Sequence, residues 1–198
     1  MKKMLYGIIS MLFAVVLMAA MPTDADAEIY SDTLRLHILA ASDSDEDQAL
    51  KIAVRDAILR EYADALSSAQ GLDNALITVE ALLADIERTA SECIEASGFD
   101  YGVSAELSIE DYDTREYGEL ALPRGRYNSL VVRIGEGAGK NWWCVMYPPM
   151  CLDMALDAPS DDWVSDYTDT ELSLITGGKY RAKFKLLELV SDFIDQGA

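Results

Sequence analysis

The sequence is short of positive charge. Its 198 residues include 16 Lys and Arg against 35 Asp and Glu, which gives a formal net charge of −19. A protein that binds nucleic acid or anionic lipid through its folded surface needs a basic surface there. The charge balance therefore excludes partners held through their phosphates, and it argues against a folded domain that docks on a membrane.

Histidine and cysteine are almost as scarce. One His and three Cys, without a C-x-x-C motif, leave no standard zinc site. His37 lies in an apolar run, and no G-x-S-x-G motif accompanies it. The glycine-rich segment Gly135–Lys140 departs from the Walker A motif and from the dinucleotide-binding fingerprint. A strand is predicted after it, whereas both motifs need a helix there. We therefore identify no catalytic residues from these motifs, and we expect no cofactor, metal or nucleotide.

The N-terminus has the pattern of an export signal. A basic start at Met1–Lys3 precedes an uncharged run from Leu5 to Met21, and Ala25-Asp26-Ala27 matches the small-x-small cleavage pattern. We predict cleavage between Ala27 and Glu28, which would leave the net charge unchanged. The uncharged run lies at the lower edge of what spans a bilayer, so an uncleaved N-terminal anchor is the alternative. Either way, residues 28–198 are expected to form a single domain outside the cytoplasm.

Residues 28–198 carry mixed helical and strand patterns. A buried strand over Leu34–Ala40 precedes two amphipathic helices. The first is capped by Ser44 and has Lys51 and Arg55 off its apolar stripe, and the second covers about Asp73–Ala96 with Gly98 at its C-cap. Extended segments are then predicted over Val103–Glu110, Glu116–Leu122, Tyr127–Ile134 and Trp142–Tyr147, followed by a last helix over Lys179–Ile194.

These elements predict an α+β fold. We expect a small mixed or antiparallel sheet packed against the two N-terminal helices and the C-terminal helix. A short glycine-rich loop, Gly135–Lys140, connects the last two strands, so we expect these strands to pair as a hairpin.

Two of the three cysteines flank a predicted turn. Cys144 and Cys151 lie on either side of Tyr147-Pro148-Pro149, and export would permit a disulfide between them. Two reduced, buried thiols are the alternative. Cys93 falls on the apolar stripe of the second helix and is expected to be a small core residue.

Two segments together resemble a known family. The first runs from Leu34 to Gln48 and continues through Lys51–Ala57. The second runs from Gly135-Glu136-Gly137 through Asn141-Trp142-Trp143-Cys144 to Pro148-Pro149-Met150-Cys151. They resemble the stage II sporulation protein R family of endospore-forming bacteria. The resemblance covers nearly the whole chain, and it is loose only after Asp153.

That resemblance implies a signalling protein rather than an enzyme. Its members are made in the forespore and secreted into the space between the forespore and mother-cell membranes. There they activate a membrane-embedded aspartic protease, stage II sporulation protein GA, which removes the pro-sequence of sigma-E. One alternative is a secreted cell-wall hydrolase, in which acidic residues such as Glu110, Asp111 or Asp162 act as general acid or base. The other is a structural envelope protein.

The double-tryptophan strand is the candidate contact surface for a protein partner. Trp142 and Trp143 are neighbours on a strand, so their side chains must point to opposite faces. One ring can enter the core while the other serves as an aromatic anchor, and the alternative is that helices cover both. The candidate partner contacts are Trp142, Trp143, Tyr147, Pro148 and Pro149.

Overall fold

A computed structural model describes residues 6–11, 13–14, 29, 32–117 and 120–148. Its elements are β1 (Leu34–Leu39), α1 (Asp45–Ser67), α2 (Leu72–Ala96), β2 (Val103–Tyr112), β3 (Arg115–Tyr117), β4 (Leu120–Leu122), β5 (Gly125–Ile134) and β6 (Asn141–Tyr147). The chain divides into two compact units. One contains residues 30–110 and 126–167, and the other contains residues 1–29, 111–125 and 168–198.

Two of the sequence predictions concern residues near the ends of the chain. The predicted C-terminal helix over Lys179–Ile194 lies outside the described residues, as does the predicted cleavage position between Ala27 and Glu28. Residues 6–11 are helical. Among the helices that the structure describes, none combines the length and the apolar character needed to cross a bilayer.

Strand β1 lies inside a four-stranded sheet of order β2-β5-β1-β6. It pairs in parallel with β5 and antiparallel with β6, so Leu36 has Leu130 on one side and Cys144 on the other. Leu34, Leu36 and Ile38 are fully buried in the core that the sheet shares with α1 and α2. The mixed sheet and its helices confirm the α+β prediction.

The prediction that β5 and β6 pair as a hairpin is wrong, because β1 lies between them. The connecting segment 135–140 passes the end of β1, where Gly139 N donates to the Ala40 carbonyl at 2.9 Å. Lys140 N donates to Asp43 Oδ1 at 2.7 Å. Local sequence favours a hairpin, but a strand as thoroughly buried as β1 satisfies its backbone groups only when both of its edges are paired. Six residues easily span the roughly 10 Å between alternate strands.

The start of α1 and the end of α2 agree with the sequence prediction. Ser44 caps α1, and its hydroxyl accepts the N–H of Asp47 at 3.2 Å. Three acids in the first turn favour the positive end of the helix dipole. Helix α2 ends at Ala96, and Gly98 follows with a φ of +85°. Glycine adopts this left-handed conformation without a steric penalty, so it stops the helix there.

The predicted extended segment over Glu116–Leu122 is two short strands instead of one. Strands β3 and β4 pair antiparallel, with Glu116 opposite Ala121. The sequence between them contains Gly118, a residue type that favours turns over continuous strands. Apolar content alone did not reveal this break.

Gly139 offers a direct test of how the loop crosses the end of β1. A Cβ atom at this position would overlap the carbonyl group of Ser42, whereas a Cβ at Gly102 would have open space around it. We expect Gly139→Ala to lower the free energy of unfolding in urea by about 1–3 kcal/mol. The control Gly102→Ala should stay within about 0.5 kcal/mol of the wild type. Equal values for the two variants would contradict the crossing.

Candidate functional site

Strand β6, which carries both tryptophans, lies along α1. The guanidinium of Arg55 stands over the ring of Trp142, with Cζ 4.4 Å from the ring centroid. Further along, the Tyr147 hydroxyl accepts the N–H of Gly71, which follows α1, at 2.9 Å. The earlier residue of β6, Trp142, lies beside Arg55, and the later one, Tyr147, lies beside Gly71. Helix α1 and strand β6 therefore run in the same direction. The two aromatic side chains therefore join the strand to the helical layer.

The two tryptophan rings lie on opposite faces of the sheet, as strand geometry requires. Trp142 packs against the core on the helical face. Trp143 stacks on His37 on the other face, with ring centroids 5.5 Å apart and an interplanar angle of 23°. Each tryptophan is half-buried. Both rings thus have partners within the chain and also retain some surface that is accessible to solvent.

The remaining candidate contacts are less accessible or lie outside the described residues. Tyr147 and Pro148 are buried, and Pro149 falls outside the described ranges. Their role in contacting a partner stays a prediction. Because a partner needs accessible surface, the burial pattern directs that prediction to Trp142 and Trp143.

A network of polar side chains holds the turn between β1 and α1. The Ser42 hydroxyl donates to the carboxylate of Asp47, and Gln48 Nε2 donates to the Ser42 carbonyl at 2.8 Å. Lys51 Nζ donates to Gln48 Oε1 at 2.6 Å and to the Lys140 carbonyl at 2.8 Å. We call these five residues the turn network. It fastens the start of α1 to the loop that precedes β6.

Lys51 is buried, although its position off the apolar stripe of α1 predicts that it is exposed. The periodicity places it off the apolar stripe of α1, yet its exposed fraction is 4%. Burial lowers the pKa of the Lys51 ammonium, and the nearby Asp43 carboxylate opposes that shift. A buried ammonium is tolerated here because carbonyl oxygens accept hydrogen bonds from it. Helical periodicity cannot reveal such a residue, since one of its two acceptors, the Lys140 carbonyl, comes from a loop distant in sequence.

The face of β1 opposite the helices carries two basic side chains. Arg35 is fully buried, and its guanidinium lies 5.0 Å from the ring centroid of Tyr127. His37 is also buried, with Nδ1 3.8 Å from a carboxylate oxygen of Glu110. A charged residue inside an apolar strand was the sequence signal for this cluster, and it does not indicate which side chains Arg35 contacts.

Burial lowers the pKa of His37 below its ordinary value of 6.5. The Asn141 side chain and the charge of Glu110 act in the opposite direction, while the guanidinium groups of Arg133 and Arg35 add to the lowering of the pKa. The imidazole is therefore kept neutral in the folded protein, because desolvation penalises its charged form.

The cluster does not have the geometry of a serine hydrolase. The Ser108 hydroxyl donates to Glu110 at 2.8 Å, so the carboxylate stands between the hydroxyl and the imidazole. A catalytic triad needs the imidazole between the other two groups, because it must take the proton from the nucleophile. Within the described residues, no group of three or more His, Cys, Asp or Glu side chains is placed to hold a metal ion.

The described residues thus have an α+β fold, and the polar clusters above stabilise the turn between β1 and α1 and one face of the sheet. Residues 30–156, which include every strand and both helices of that description, match the family model of stage II sporulation protein R. The chain is also 34% identical over 145 residues to stage II sporulation protein R of Bacillus subtilis (strain 168). It belongs to the stage II sporulation protein R family, and its role is in sporulation.

The extent of these matches differs between the two proteins. The alignment with the Bacillus subtilis protein covers 73% of this chain and 63% of that relative. The chain therefore spans less than two thirds of the relative's length. The relative's name places it in sporulation and names no enzymatic activity. No solved structure matches the chain.

The buried imidazole predicts a pH dependence of stability. Because the folded-state pKa of His37 is lowered, the unfolded chain binds more protons once the pH falls to about 6.5. The free energy of unfolding should therefore fall as the pH drops through that range, and this contribution should level off below the folded-state pKa. His37→Gln removes the contribution. In urea unfolding, the free energy of unfolding of the variant should rise relative to that of the wild type as the pH is lowered from about 7.5 to 5. A constant difference would contradict this prediction.

Proposed function

We propose that this protein is an exported signalling protein that activates the membrane-embedded aspartic protease of the sporulation pathway. In this proposal the protease, stage II sporulation protein GA, then removes the pro-sequence of sigma-E in the mother cell. The observation that carries the proposal is the family match over residues 30–156. The matched range includes the two segments on which the resemblance rests, one from Leu34 to Ala57 and the other from Gly135 to Cys151.

The proposed site of action is the space between the forespore and mother-cell membranes. The N-terminal pattern supports export, either with cleavage between Ala27 and Glu28 or with residues 1–27 kept as an anchor. The strongly acidic composition supports contact with a protein rather than with anionic lipid headgroups. The protein would reach the membrane only through an uncleaved N-terminal segment.

Activation by contact sets a thermodynamic requirement. A ligand shifts a receptor between two states only by the difference between its affinities for them. Moving a protease from 1% to 99% active requires about 10⁴-fold tighter binding to the active state. The turn network and the fully paired β1 support such a role, because a surface ordered before binding loses little conformational entropy when the complex forms.

Reconstitution in a host that does not sporulate tests the proposal. The full chain, the protease and pro-sigma-E are co-expressed, and cleavage is followed by immunoblot. We expect cleavage to depend on the chain and to be lost when residues 2–27 are deleted, because the protein would then stay in the cytoplasm. Trp143→Ala, if secreted and folded, should reduce cleavage at least tenfold because it removes an aromatic anchor.

Two outcomes would count against this reading. Cleavage that proceeds without the chain would remove the signalling role, and release of muropeptides by the purified protein would favour a cell-wall hydrolase. Full activation by secreted, folded Trp142→Ala and Trp143→Ala variants would overturn only the proposed contact surface.

We also propose a disulfide between Cys144 and Cys151 in the exported protein. Cys144 is buried at the centre of β6, Cys93 is a free thiol in α2, and Cys151 lies outside the described residues. Mass mapping without reduction should find the Cys144 and Cys151 peptides joined, with Cys93 open to alkylation after unfolding. Reduction should lower the free energy of unfolding by about 2–3 kcal/mol, the usual value for a short loop. Alkylation of all three cysteines in unreduced protein would contradict the bridge.

A further inference from the structure

Two large apolar side chains are exposed on the unit that contains residues 30–110. Ile77 at the start of α2 is 65% exposed, and Ile109 in β2 is 58% exposed. Beyond the helical residues 6–11 and 13–14, these are the large apolar side chains that lie open to solvent in the described part of the chain. The turn network and the tryptophan contacts do not use them.

Helix α2 and strand β2 place the two isoleucines at the same end of this pair of elements. Glu87 of α2 meets Ala105 of β2, where Ala105 N donates to Glu87 Oε1 at 2.8 Å. Ile109 lies about 13 Å along the strand from that contact, at 3.3 Å per residue. Ile77 lies about 15 Å back along the helix, at 1.5 Å per residue. The chain reverses direction between α2 and β2. Moving forward along β2 and backward along α2 from this contact therefore leads to the same end of the pair.

Strand β2 is the edge strand of the sheet in the described residues, next to β5. Gly135 N donates to the Gly102 carbonyl at 2.8 Å, and Arg133 pairs with Glu106 at 3.9 Å. Residue numbers therefore decrease along β5 in the direction in which they increase along β2, so the two strands are antiparallel. Backbone groups alternate in direction along such a strand. Since Gly102 faces β5, the backbone groups of Leu107 and Ile109 face outward.

The hydrogen bond at Ala105 supports this assignment and shows how one end of the edge is protected. The Ala105 N–H also points outward, and the carboxylate of Glu87 accepts it. Exposed strand edges attract other strands, and a charged side chain that caps the edge is one common protection. At the Leu107 and Ile109 end, the structure has an exposed apolar side chain instead.

Charge around this edge selects among possible occupants. Every charged residue of β2 is acidic: Glu106, Glu110 and Asp111. The nearby solvent-exposed positions of α2 include Asp73 and Glu80, and Glu87 lies at the other end. A second copy of the chain paired edge to edge would bring like charges together, which is unfavourable. An extended segment with Lys or Arg side chains would meet complementary charges instead.

We propose that the outer edge of β2, from Leu107 to Ile109, binds an extended, basic segment of another protein as an added strand. Outward backbone groups of β2 provide the hydrogen bonds, and Ile109 and Ile77 contact apolar side chains of the added segment. This inference rests on the proposed function in one respect: the segment would belong to the extracytoplasmic part of the activated protease.

Photo-cross-linking in sporulating cells tests the added strand directly. The full chain carries p-benzoylphenylalanine in place of Ile109 or, as a control, in place of Glu95 on the exposed C-terminal turn of α2. We expect irradiation to join position 109, and not position 95, to one peptide of another protein. Peptide mapping should show that peptide to be basic. Cross-links to a second copy of the chain, to lipid, or to nothing would overturn the proposal.

A pair of variants separates backbone pairing from side-chain contact. Ile109→Pro removes an outward N–H that the sheet does not use, and proline is tolerated at such edge positions. Ile109→Ala keeps that N–H and loses only the side chain. We expect the proline variant to lower pro-sigma-E processing at least tenfold and the alanine variant to lower it less. Equal effects would contradict strand addition.

The two proposals can fail separately. Processing that needs the chain but is unchanged in Ile109→Pro, with no cross-link from position 109, would overturn the added strand and leave the signalling role intact. Processing that does not need the chain would overturn the signalling role, and a mapped basic partner at position 109 would still support the added strand. The cross-link needs no proline, so it also decides the matter if Ile109→Pro is not secreted.

Discussion

The described architecture depends on the burial of β1 between two strands that run in opposite directions. Leu34, Leu36 and Ile38 face the helices and are fully buried, which contributes about 1.5–3 kcal/mol for each side chain. The opposite face carries Arg35 and His37, also buried. A strand buried on both faces must pair its backbone on both edges, and β5 and β6 provide those partners. The loop crossing at Gly139 follows from that requirement.

The polar residues around β1 stabilise this arrangement. Ser42, Asp47, Gln48 and Lys51 form a hydrogen-bonded turn that also holds the Lys140 carbonyl. Each group lies in or near the core, where an unpaired donor or acceptor costs about 1–3 kcal/mol. The pattern therefore marks a turn of fixed geometry.

The proposed signalling role would depend on surfaces of the described residues. Each tryptophan of β6 is half-buried against a side chain of its own chain, Arg55 on one face and His37 on the other. The outer edge of β2 presents backbone groups and two exposed isoleucines. A signalling protein that acts by contact needs such preorganised surfaces, because the affinity difference between receptor states must come from binding alone.

The sequence by itself determined the local features. Periodicity placed both helices, Ser44 and Gly98 marked helix ends, and alternation identified β2, because each of these signals depends on a few neighbouring residues. Tertiary structure decided what depends on distant residues. The insertion of β1 between β5 and β6, the burial of Lys51 and the contacts of the two tryptophans all involve partners far away in the sequence. Local patterns do not specify which strands become neighbours, so only the folded arrangement settled the sheet order and the surfaces that it leaves exposed.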